Sequence, residues 1–306
     1  MFTREALLAA AEAIPQGGAL PRQMSGAVVE SRAVRPGQLY IVLTPEAAAR
    51  GRAIAAAVDG GAVAILATAP DPYALARGVP LLAVADPLAV LRHLARDCLR
   101  RQPRTRVIAV AGGADTLATK DAIAALLAHV APTLRMPAPG AREQPGEVDA
   151  LLALVNLAPE HGYAVLALGA QGPDTTSMAA LCRLLAPHVG IVTPFDPAPP
   201  DSDTASLRPR QGSEAVRAAA ELLRTVPAAG LAVLDADGRH TRRLAHQATA
   251  PVVTYGRRLG VDVRAMRVGG DAARGPRFTL MVGGQQVRVQ MGIPGERAVT
   301  LALAAA

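Results

Sequence analysis

The sequence predicts an α/β fold: a small N-terminal α/β domain followed by a larger central domain with a mainly parallel sheet flanked by helices. Three observations lead to this prediction. Short apolar runs rich in β-branched residues alternate with Ala- and Leu-rich helical patterns over most of the chain. The runs are apolar on both faces, as parallel strands covered on both sides are. Hydrophobic residues make up 51% of the 306 residues, which is enough for a sizeable core.

The elements follow from local patterns along the chain. Each predicted strand consists of a short apolar run. These strands are Gln38–Leu43, Ala62–Thr68, Leu81–Ala85, Arg106–Gly112, Tyr163–Gly169, Val189–Phe195, Leu231–Asp235 and Val252–Tyr255. The predicted helices share an apolar stripe and are Pro87–Arg101, Leu117–Val130, Thr175–Leu185, Ser213–Arg224 and Arg239–Gln247. The N-terminal segment carries Arg4, Glu5 and Glu12, so it is predicted as an amphipathic helix rather than a signal peptide.

Near the end of the chain, the alternation of strand and helix patterns gives way to a hairpin pattern. Phe278–Val282 and Gln285–Met291 flank Gly283–Gly284, which predicts a hairpin with a two-residue turn. Proline-rich stretches at Pro137–Pro145 and Pro194–Pro209 are predicted as surface loops. We place the domain boundary near residue 86, because the helix at Pro87 and a polar segment after it lead into a new buried strand. The predicted domains are therefore residues 1–86 and 87–306.

Composition narrows the classes of function. No apolar run approaches the roughly 18 residues of a membrane span. Cys98 and Cys182 are too few for a disulfide framework, so we expect a cytoplasmic protein. Aromatic residues make up only 2%, which argues against a nucleic-acid-binding module. The formal net charge is +7, and Lys120 is the single lysine. A solvated arginine-rich surface and a surface for an anionic partner both remain open.

A glycine pair follows the buried strand in RVIAVAGGADTLATKDAIAALL, where a phosphate-binding loop would lie. Gly112 and Gly113 open the loop, but Asp115 and Thr116 stand where a Gly-Lys pair is needed, and Lys120 follows a helical turn later. Three interpretations stay open. The segment is a working nucleotide site, a plain strand–turn–helix capped by Thr116 or Asp115, or a binding loop that has lost its catalytic parts.

Several segments occur in an order that a known family shares. Glu30–Arg32 followed by VRPGQLYIVL is similar to D-S-R-x-V-x-P-G-D-L-F-V-A-L. The further segments are GRAIAAAVDGGAVAILAT, PEHGYAVLALG, HVGIVTPFDPAP, GSEAVRAAAELL, LAVLDADG, VVTYG and IPGERAVTLALAAA. In this order the chain resembles the Mur ligases, which use ATP to add amino acids or dipeptides to UDP-N-acetylmuramic acid. The resemblance is strongest to the D-alanyl-D-alanine-adding type. It implies a UDP-sugar-type N-terminal domain over residues 1–86 and a central domain derived from a phosphate-loop fold over residues 87–306.

The positions at which the family carries its chemistry depart from the family pattern. The lysine of the phosphate loop, a Mg²⁺-binding glutamate, a histidine near the second metal and a carbamylated lysine are replaced, in that order, by Thr116, Ala167, Pro199 and Ala219. The adenosine motif becomes Asp235–Gly238, and a late His-Asn pair becomes Arg297 and Ala298. What remains as a vestigial nucleotide loop is Gly112, Gly113, Thr119 and Lys120. Candidate ligand-binding residues carried over from the resemblance are Ser31, Arg32 and Glu147.

These departures lead to our main hypothesis, a catalytically degenerate Mur-ligase-like protein. It would act by binding a protein partner, a second copy of itself or a retained UDP-sugar-type ligand. Phosphoryl transfer between two anions needs a lysine and metal ions, and the replaced positions hold neither. We therefore expect no metal site and no cofactor. We also expect the family's C-terminal domain to be absent. The alternative is an ATP- and Mg²⁺-dependent amide ligase of peptidoglycan precursor synthesis, with a divergent ATP site or completed by another subunit.

Overall fold

The computed structural model describes residues 1–44, 46–137, 146–169, 175–195, 208–238, 240–271 and 274–306. Contacts between residues divide the chain into two compact units. The first contains Met1–Pro103 with Leu151–Glu160, and the second contains Arg104–Ala150 with His161–Ala306. This division by contacts places the helix after Pro87 in the first unit. The functional division at residue 86 stays a prediction.

The first unit is built on a small parallel sheet. Its elements in chain order are β1 (Phe2–Thr3), α1 (Arg4–Ala11), β2 (Gln23–Met24), β3 (Gly26–Val28), β4 (Gln38–Ile41), α2 (Ala47–Asp59), β5 (Ala64–Ala67), α3 (Pro72–Ala76), β6 (Leu81–Ala83) and α4 (Pro87–Arg100). Strands β3, β4, β5 and β6 pair in that order and are all parallel, while β1 and β2 form a short antiparallel pair. A single 3-10 turn, Ser31–Ala33, lies between β3 and β4.

Asp-Pro pairs start two helices of this unit. The carboxylate of Asp71 accepts hydrogen bonds from the first turn of α3, and that of Asp86 does the same for α4. Proline follows each cap at a position that needs no backbone N–H donor. The inward face of α4 carries a helical stripe of buried residues: Val90, Leu91, Leu94, Ala95 and Cys98. Since α4 packs against α1, this stripe joins the core of the first unit.

The second unit is organised around a nine-stranded sheet. The elements from β7 onward, in chain order, are β7 (Arg106–Ala111), α5 (Thr116–Leu127), β8 (Thr133–Arg135), α6 (Glu147–Val155), β9 (Tyr163–Leu168), α7 (Thr175–Leu185), β10 (Val189–Val192), α8 (Arg208–Thr225), β11 (Leu231–Asp235), α9 (Thr241–Ala245), β12 (Val252–Gly256), β13 (Val263–Asp271), β14 (Gly275–Val282), β15 (Gln285–Gln290) and α10 (Arg297–Ala305). Helix α6 begins in the second unit, and its residues from Leu151 on belong to the first. The strand order is β15-β14-β13-β12-β11-β10-β7-β9-β8. From β13 to β8 along that order, β7 included, each pair of neighbouring strands is parallel. Strands β14 and β15 add an antiparallel edge.

The strand order creates a topological switch point beside β7. The chain leaves β7 for β8 and β9 on one side of it, and later returns to β10 on the other side. Loops at the carboxyl ends of the strands diverge at such a point and leave a crevice, which is where open α/β sheets bind ligands. The glycine loop that follows β7 therefore occupies the position where a ligand site is expected.

The α/β class and the mainly parallel sheet flanked by helices are confirmed. Strand β11 and helix α7 have the predicted bounds, and the hairpin turn at Gly283–Gly284 joins β14 to β15. The predicted loop over Pro194–Pro209 is wrong at its end, because α8 already begins at Arg208. Proline near a helix N-terminus removes no helical hydrogen bond, so Pro209 does not delay the helix. The remainder of both proline-rich segments, residues 138–145 and 196–207, lies outside the described residues.

Strand β13 was not predicted. Its sequence, VRAMRVGGD, mixes arginines and glycines with apolar residues and so lacks the simple alternation of a strand. A shift of register between Met266 and Gly269 interrupts its pairing with β14, and Arg267 adopts a left-handed conformation with φ of 53°. Tertiary pairing with β12 and β14 therefore holds this segment as a strand. Among the described residues, no helix is both long and apolar enough to cross a membrane.

Candidate functional site

The glycines of the loop after β7 allow close contact between two backbone segments. Gly112 has a φ of +143°, and a Cβ at this position would lie 2.5 Å from the carbonyl oxygen of Thr193. A Cβ on Gly113 would collide with the carbonyl oxygen of Pro194. The backbone N–H of Thr193 donates to the carbonyl of Ala111 at 2.9 Å, which extends the pairing of β7 with β10. Both glycines are therefore required by packing within the protein.

Thr116 closes this loop through its hydroxyl group. It is the first residue of α5, is 6% exposed, and donates a hydrogen bond to the carbonyl of Gly113 at 2.7 Å. Its Oγ1 also lies 3.1 Å from Oγ1 of Thr193. Asp115 occupies the N-cap position but makes no capping hydrogen bond with its side chain. Of the two predicted caps, the hydroxyl of Thr116 is the group that binds the loop backbone.

Lys120 is directed into the protein. Its side chain is 1% exposed, and Nζ donates to the carbonyl of Met136 at 2.5 Å and lies 2.7 Å from Oδ1 of Asp121. Asp121 also accepts a hydrogen bond from Nε of Arg135 at 2.8 Å. Burial alone would raise the pKa of Asp121, but the hydrogen bonds from Arg135 and Lys120 outweigh it and lower that pKa. Thr119, also in the predicted loop set, is buried beside it in α5.

An ion pair lies at the start of α5. Nη1 of Arg297, the first residue of α10, is 3.7 Å from Oδ1 of Asp115. The Arg297 side chain is 63% exposed, whereas that of Asp115 is 20% exposed. Helix α10 packs against α5, with Val299 and Leu303 buried beneath it. The sequence showed Arg297 only as a departure from a motif, and nothing in it indicated a contact with Asp115.

Three carboxylates act electrostatically on the buried Tyr255 of β12. The pKa of Tyr255 lies well above its usual value because of burial first, and then because of the negative charges of Asp235, Asp115 and Asp237. The Tyr255 hydroxyl donates to the carbonyl of Val192 at 3.1 Å. An anionic ligand at this end of the sheet would need a cation nearby.

A small pocket lies at the carboxyl ends of β10 and β11. Its lining includes Thr193, Phe195, Asp235, Gly238 and His240. The rings of Phe195 and His240 meet edge to face, with centroids 5.6 Å apart and planes at 87°. This pocket adjoins the glycine loop through Thr193, which both share. Sequence reasoning identified the Asp235–Gly238 turn but missed Phe195 and His240, since isolated aromatic rings in loops give no local signal.

The turn after β11 is held by its own polar groups. The backbone N–H of Asp237 donates to Oδ1 of Asp235 at 3.0 Å, and that of Arg257 donates to Oδ2 of Asp237 at 2.8 Å. The Thr241 hydroxyl donates to the backbone carbonyl of Asp235. These bonds orient both carboxylates before any ligand binds.

The other replaced positions hold small residues in the core. Ala167 on β9 and Ala219 on α8 are fully buried, so both contribute packing where the family motif implies a metal-holding group. Pro199 lies outside the described residues. Within the part of the chain that the structure describes, no three His, Cys, Asp or Glu side chains are grouped to hold a metal ion.

In the first unit, Ser31 and Arg32 follow the carboxyl end of β3. Burial raises the pKa of Tyr40, and a hydrogen bond with the Ser31 side chain opposes that rise. Arg32 is exposed. Nη1 of Arg50 in α2 donates to Oγ1 of Thr68, which follows the carboxyl end of β5, at 3.3 Å. This edge of the small sheet therefore carries two arginines, of which Arg32 is exposed and Arg50 is half-buried. Glu147 belongs to the second unit, where it begins α6.

The predicted nucleotide site therefore matches its expected ligand only in part. A loop joining a buried parallel strand to the N-terminus of the 12-residue helix α5 suits a phosphate group. Arg297 places a guanidinium group there, while the buried Thr116 hydroxyl is bonded to the carbonyl of Gly113. Lys120 does not fit, because its ammonium group is held by Met136 and Asp121.

Comparison with known proteins identifies the family. No protein-family model matches the chain. UDP-N-acetylmuramoyl-tripeptide–D-alanyl-D-alanine ligases from Mycobacterium tuberculosis and Mycobacterium bovis are 30% identical over 97% of this chain and 59% of their own length. A UDP-N-acetylmuramoyl-L-alanyl-D-glutamate–2,6-diaminopimelate ligase from Streptomyces coelicolor is 29% identical over 79% of this chain and 48% of its own.

Solved structures show the same fold. MurF from Acinetobacter baumannii matches 99% of this chain and 63% of its own with a TM-score of 0.79 at 21% identity. MurF from Thermotoga maritima, in complex with ADP, matches 92% of this chain and 61% of its own with a TM-score of 0.69 at 18% identity. The chain belongs to the Mur ligase superfamily. Its relatives at 30% identity are D-alanyl-D-alanine-adding ligases, and it spans about three-fifths of their length.

These comparisons correct one prediction. The expectation that the protein uses no cofactor is wrong, because the matching relatives are ligases and the Thermotoga maritima relative binds ADP. The departures at Thr116, Ala167 and Ala219 led to that expectation. Those departures concern side chains only. Nucleotide phosphates are bound largely by the backbone N–H groups of a loop, and a change of side chains does not exclude such binding. The similarity favours the ligase interpretation over that of a degenerate protein.

Proposed function

We propose that this protein takes part in ATP-dependent amide-bond formation on a UDP-N-acetylmuramoyl-peptide, in the synthesis of peptidoglycan precursors. The observation that carries the proposal is the similarity to D-alanyl-D-alanine-adding ligases along 97% of the chain. Because the chain spans 59% of those relatives, the complete reaction requires the part of a ligase that lies beyond this match, in the same chain or in a partner.

The nucleotide would bind at the loop after β7. Supporting features are the start of α5 and the adjoining pocket with Phe195 and His240. When bound, MgATP supplies the phosphoryl group that activates the precursor carboxylate. This chain's residues would hold the phosphates at the switch point of the sheet, beside this pocket.

The UDP-sugar part of the precursor would bind at the carboxyl edge of the small sheet, beside Ser31 and Arg32. Arginine has a planar, permanently charged group that suits a diphosphate. Among the described residues, Arg32 makes no ion pair, so its guanidinium group is available to a ligand. Glu147 remains a candidate contact to the peptide part.

Calorimetry with UDP-N-acetylmuramoyl-tripeptide and with MgATP tests both sites. A ligand at a hundred times its Kd stabilises the fold by about 2.7 kcal/mol, which raises Tm by roughly 5–10 °C for a unit of this size. We expect Arg32→Ala to give no heat of binding with the UDP-N-acetylmuramoyl-tripeptide. Arg35→Ala, which changes an exposed neighbour, should give the same heat of binding as the wild type. Absence of heat and of thermal shift with both ligands in the wild-type protein would refute the proposal.

A second candidate is a degenerate family member that binds ligand or a protein partner without turnover. The specific observation in its favour is the commitment of Lys120 to Met136 and Asp121. A coupled assay for ADP release, with precursor, D-alanyl-D-alanine and the separately purified C-terminal domain of a related ligase, separates the two candidates. ADP and a pentapeptide product detected by mass spectrometry support the ligase. Ligand heats without product support the degenerate protein, and light scattering then tests for a homo-oligomer.

A further inference from the structure

The end of the sheet that carries the glycine loop is rich in negative charge. Asp115 follows the carboxyl end of β7, and Asp235 and Asp237 lie at the carboxyl end of β11, where the backbone N–H of Asp237 donates to Oδ1 of Asp235 at 3.0 Å. Since β7 and β11 both pair in parallel with β10, these carboxylates lie at the same edge of the sheet. A phosphate group arriving at the loop would add further negative charge. Binding would therefore require a cation that reaches the loop.

The single lysine does not meet this requirement. Its Nζ is buried, bonded to the carbonyl of Met136, and paired with Asp121. Freeing it would leave the carbonyl of the fully buried Met136 without this hydrogen bond, which is costly in a buried position. A permanently charged side chain that reaches the loop must therefore be an arginine.

Arg297 is placed to supply it. Its guanidinium group lies 3.7 Å from Asp115, the residue that begins α5, and its side chain is 63% exposed. The position is rigidly supported, because Val299 and Leu303 in the following turns of α10 are buried against the core. Two neighbouring arginines are also ion-paired, Arg257 with Glu296 at 3.6 Å and Arg258 with Asp237 at 3.5 Å, but neither partner belongs to the glycine loop, whereas Asp115 does.

We propose that Arg297 contacts the phosphates of the nucleotide at the Gly112–Asp115 loop, and that Asp115 holds its guanidinium group when no nucleotide is bound. This inference rests on the proposed function. The planar guanidinium group can donate two hydrogen bonds to a phosphate, and it stays charged at every working pH. A phosphate would compete with Asp115 for Arg297, so the carboxylate lowers nucleotide affinity.

Binding of MgATP and of adenosine to wild type, Arg297→Ala, Arg297→Lys and Arg288→Ala tests the inference. Arg288 is an exposed arginine on β15 and serves as the control. We expect Arg297→Ala to weaken MgATP at least tenfold and leave adenosine within twofold, because adenosine has no phosphate. The affinity of Arg297→Lys for MgATP should lie between those of Arg297→Ala and the wild type, and the affinity of Arg288→Ala should equal that of the wild type. Asp115→Asn should bind MgATP more tightly than the wild type.

The outcomes separate this inference from the proposed function. If the wild type binds MgATP and Arg297→Ala binds it within twofold, Arg297 is not the phosphate contact and the proposed function stands. If the wild type does not bind MgATP, the nucleotide part of the proposed function fails and the inference fails with it. Thermal unfolding of each variant without ligand is measured in parallel. Should Arg297→Ala be unfolded, the comparison of Arg297→Lys and Asp115→Asn with the wild type decides, and equal affinities in all three overturn the inference.

Discussion

Gly112 shows how one residue positions the candidate site. Its φ of +143° and its contact with Thr193 leave no room for a Cβ. We expect Gly112→Ala to lower the free energy of unfolding by about 2–4 kcal/mol, since it combines backbone strain with a steric clash. Urea unfolding measures this directly. An unchanged midpoint would mean that the loop does not pack against Thr193 as described.

Gly51 in α2 is the matched control for that substitution. A Cβ there meets only Oδ2 of Asp71 at 3.9 Å, and the residue is in the interior of a 13-residue helix. Replacing glycine by alanine in such a helix stabilises it by about 0.5–1 kcal/mol. The two alanine substitutions should therefore change stability in opposite directions.

Asp121 makes stability depend on acid pH. Although burial opposes it, the hydrogen bonds from Arg135 and Lys120 lower the pKa of this carboxyl below its usual 3.8. A carboxyl with a lowered folded-state pKa contributes stability above its unfolded pKa and loses that contribution as the pH falls through the folded value. We expect wild type and Asp121→Asn to differ in stability at neutral pH and to converge as the pH falls through the lowered pKa of Asp121. Urea midpoints at stepped pH measure the difference, and a difference that stays constant into acid would contradict the pairing.

At the scale of elements, the β14–β15 hairpin depends on its two-residue turn. Gly283 and Gly284 have φ values of 55° and 81°, and a Cβ on either would meet no atom within 4 Å. Backbone conformation alone therefore decides what each position tolerates. We expect Gly283→Asn to change stability by less than about 0.5 kcal/mol and Gly283→Val to cost about 1–2 kcal/mol. Equal urea midpoints for the two variants would show that the turn has another geometry.

Helix α10 carries Arg297 and is held by apolar packing. Leu303 is 3% exposed in the cluster that includes Tyr255, Phe278 and Val299. We expect Leu303→Ala to cost about 2–5 kcal/mol, and Leu301→Ala, at a half-buried position, to cost less. Urea unfolding compares them. A smaller effect at Leu303 than at Leu301 would place the helix with its other face inward and would remove the support for the position of Arg297.

At the scale of the whole molecule, each compact unit contains one buried cysteine. Cys98 lies in the first unit and Cys182 in the second. Burial raises the pKa of both thiols, and that of Cys182 reaches about 12. At pH 8 only about one Cys182 in ten thousand would be a thiolate, the form that reacts. We expect both thiols to react with a disulfide reagent far more slowly in the folded protein than in denaturant.

Single cysteine variants make this measurement specific to each unit. Cys182→Ser leaves Cys98 to report on the first unit, and Cys98→Ser leaves Cys182 to report on the second. The reaction rate against urea concentration then gives the stability of each unit separately. Rapid labelling of either variant without denaturant would contradict the burial of that thiol.

The sequence by itself determined the class of the fold and much of its order. Strand β11, helix α7 and the β14–β15 hairpin could be predicted because their patterns are local, with apolar periodicity or glycines in a turn. The loop between β7 and α5 could be located for the same reason. The ordered segments also indicated the family correctly, although the replaced side chains led to a wrong prediction about the cofactor.

Only the tertiary structure decided which side chains meet at the candidate site. Lys120 belongs to the loop in sequence, yet it bonds to Met136 and Asp121, while Arg297 from the last helix pairs with Asp115. Strand β13 likewise exists through its pairing with β12 and β14. The physical reason is one of range. Backbone preferences act over a few residues, whereas the partner of a long charged side chain depends on the strand order and on which helices pack together.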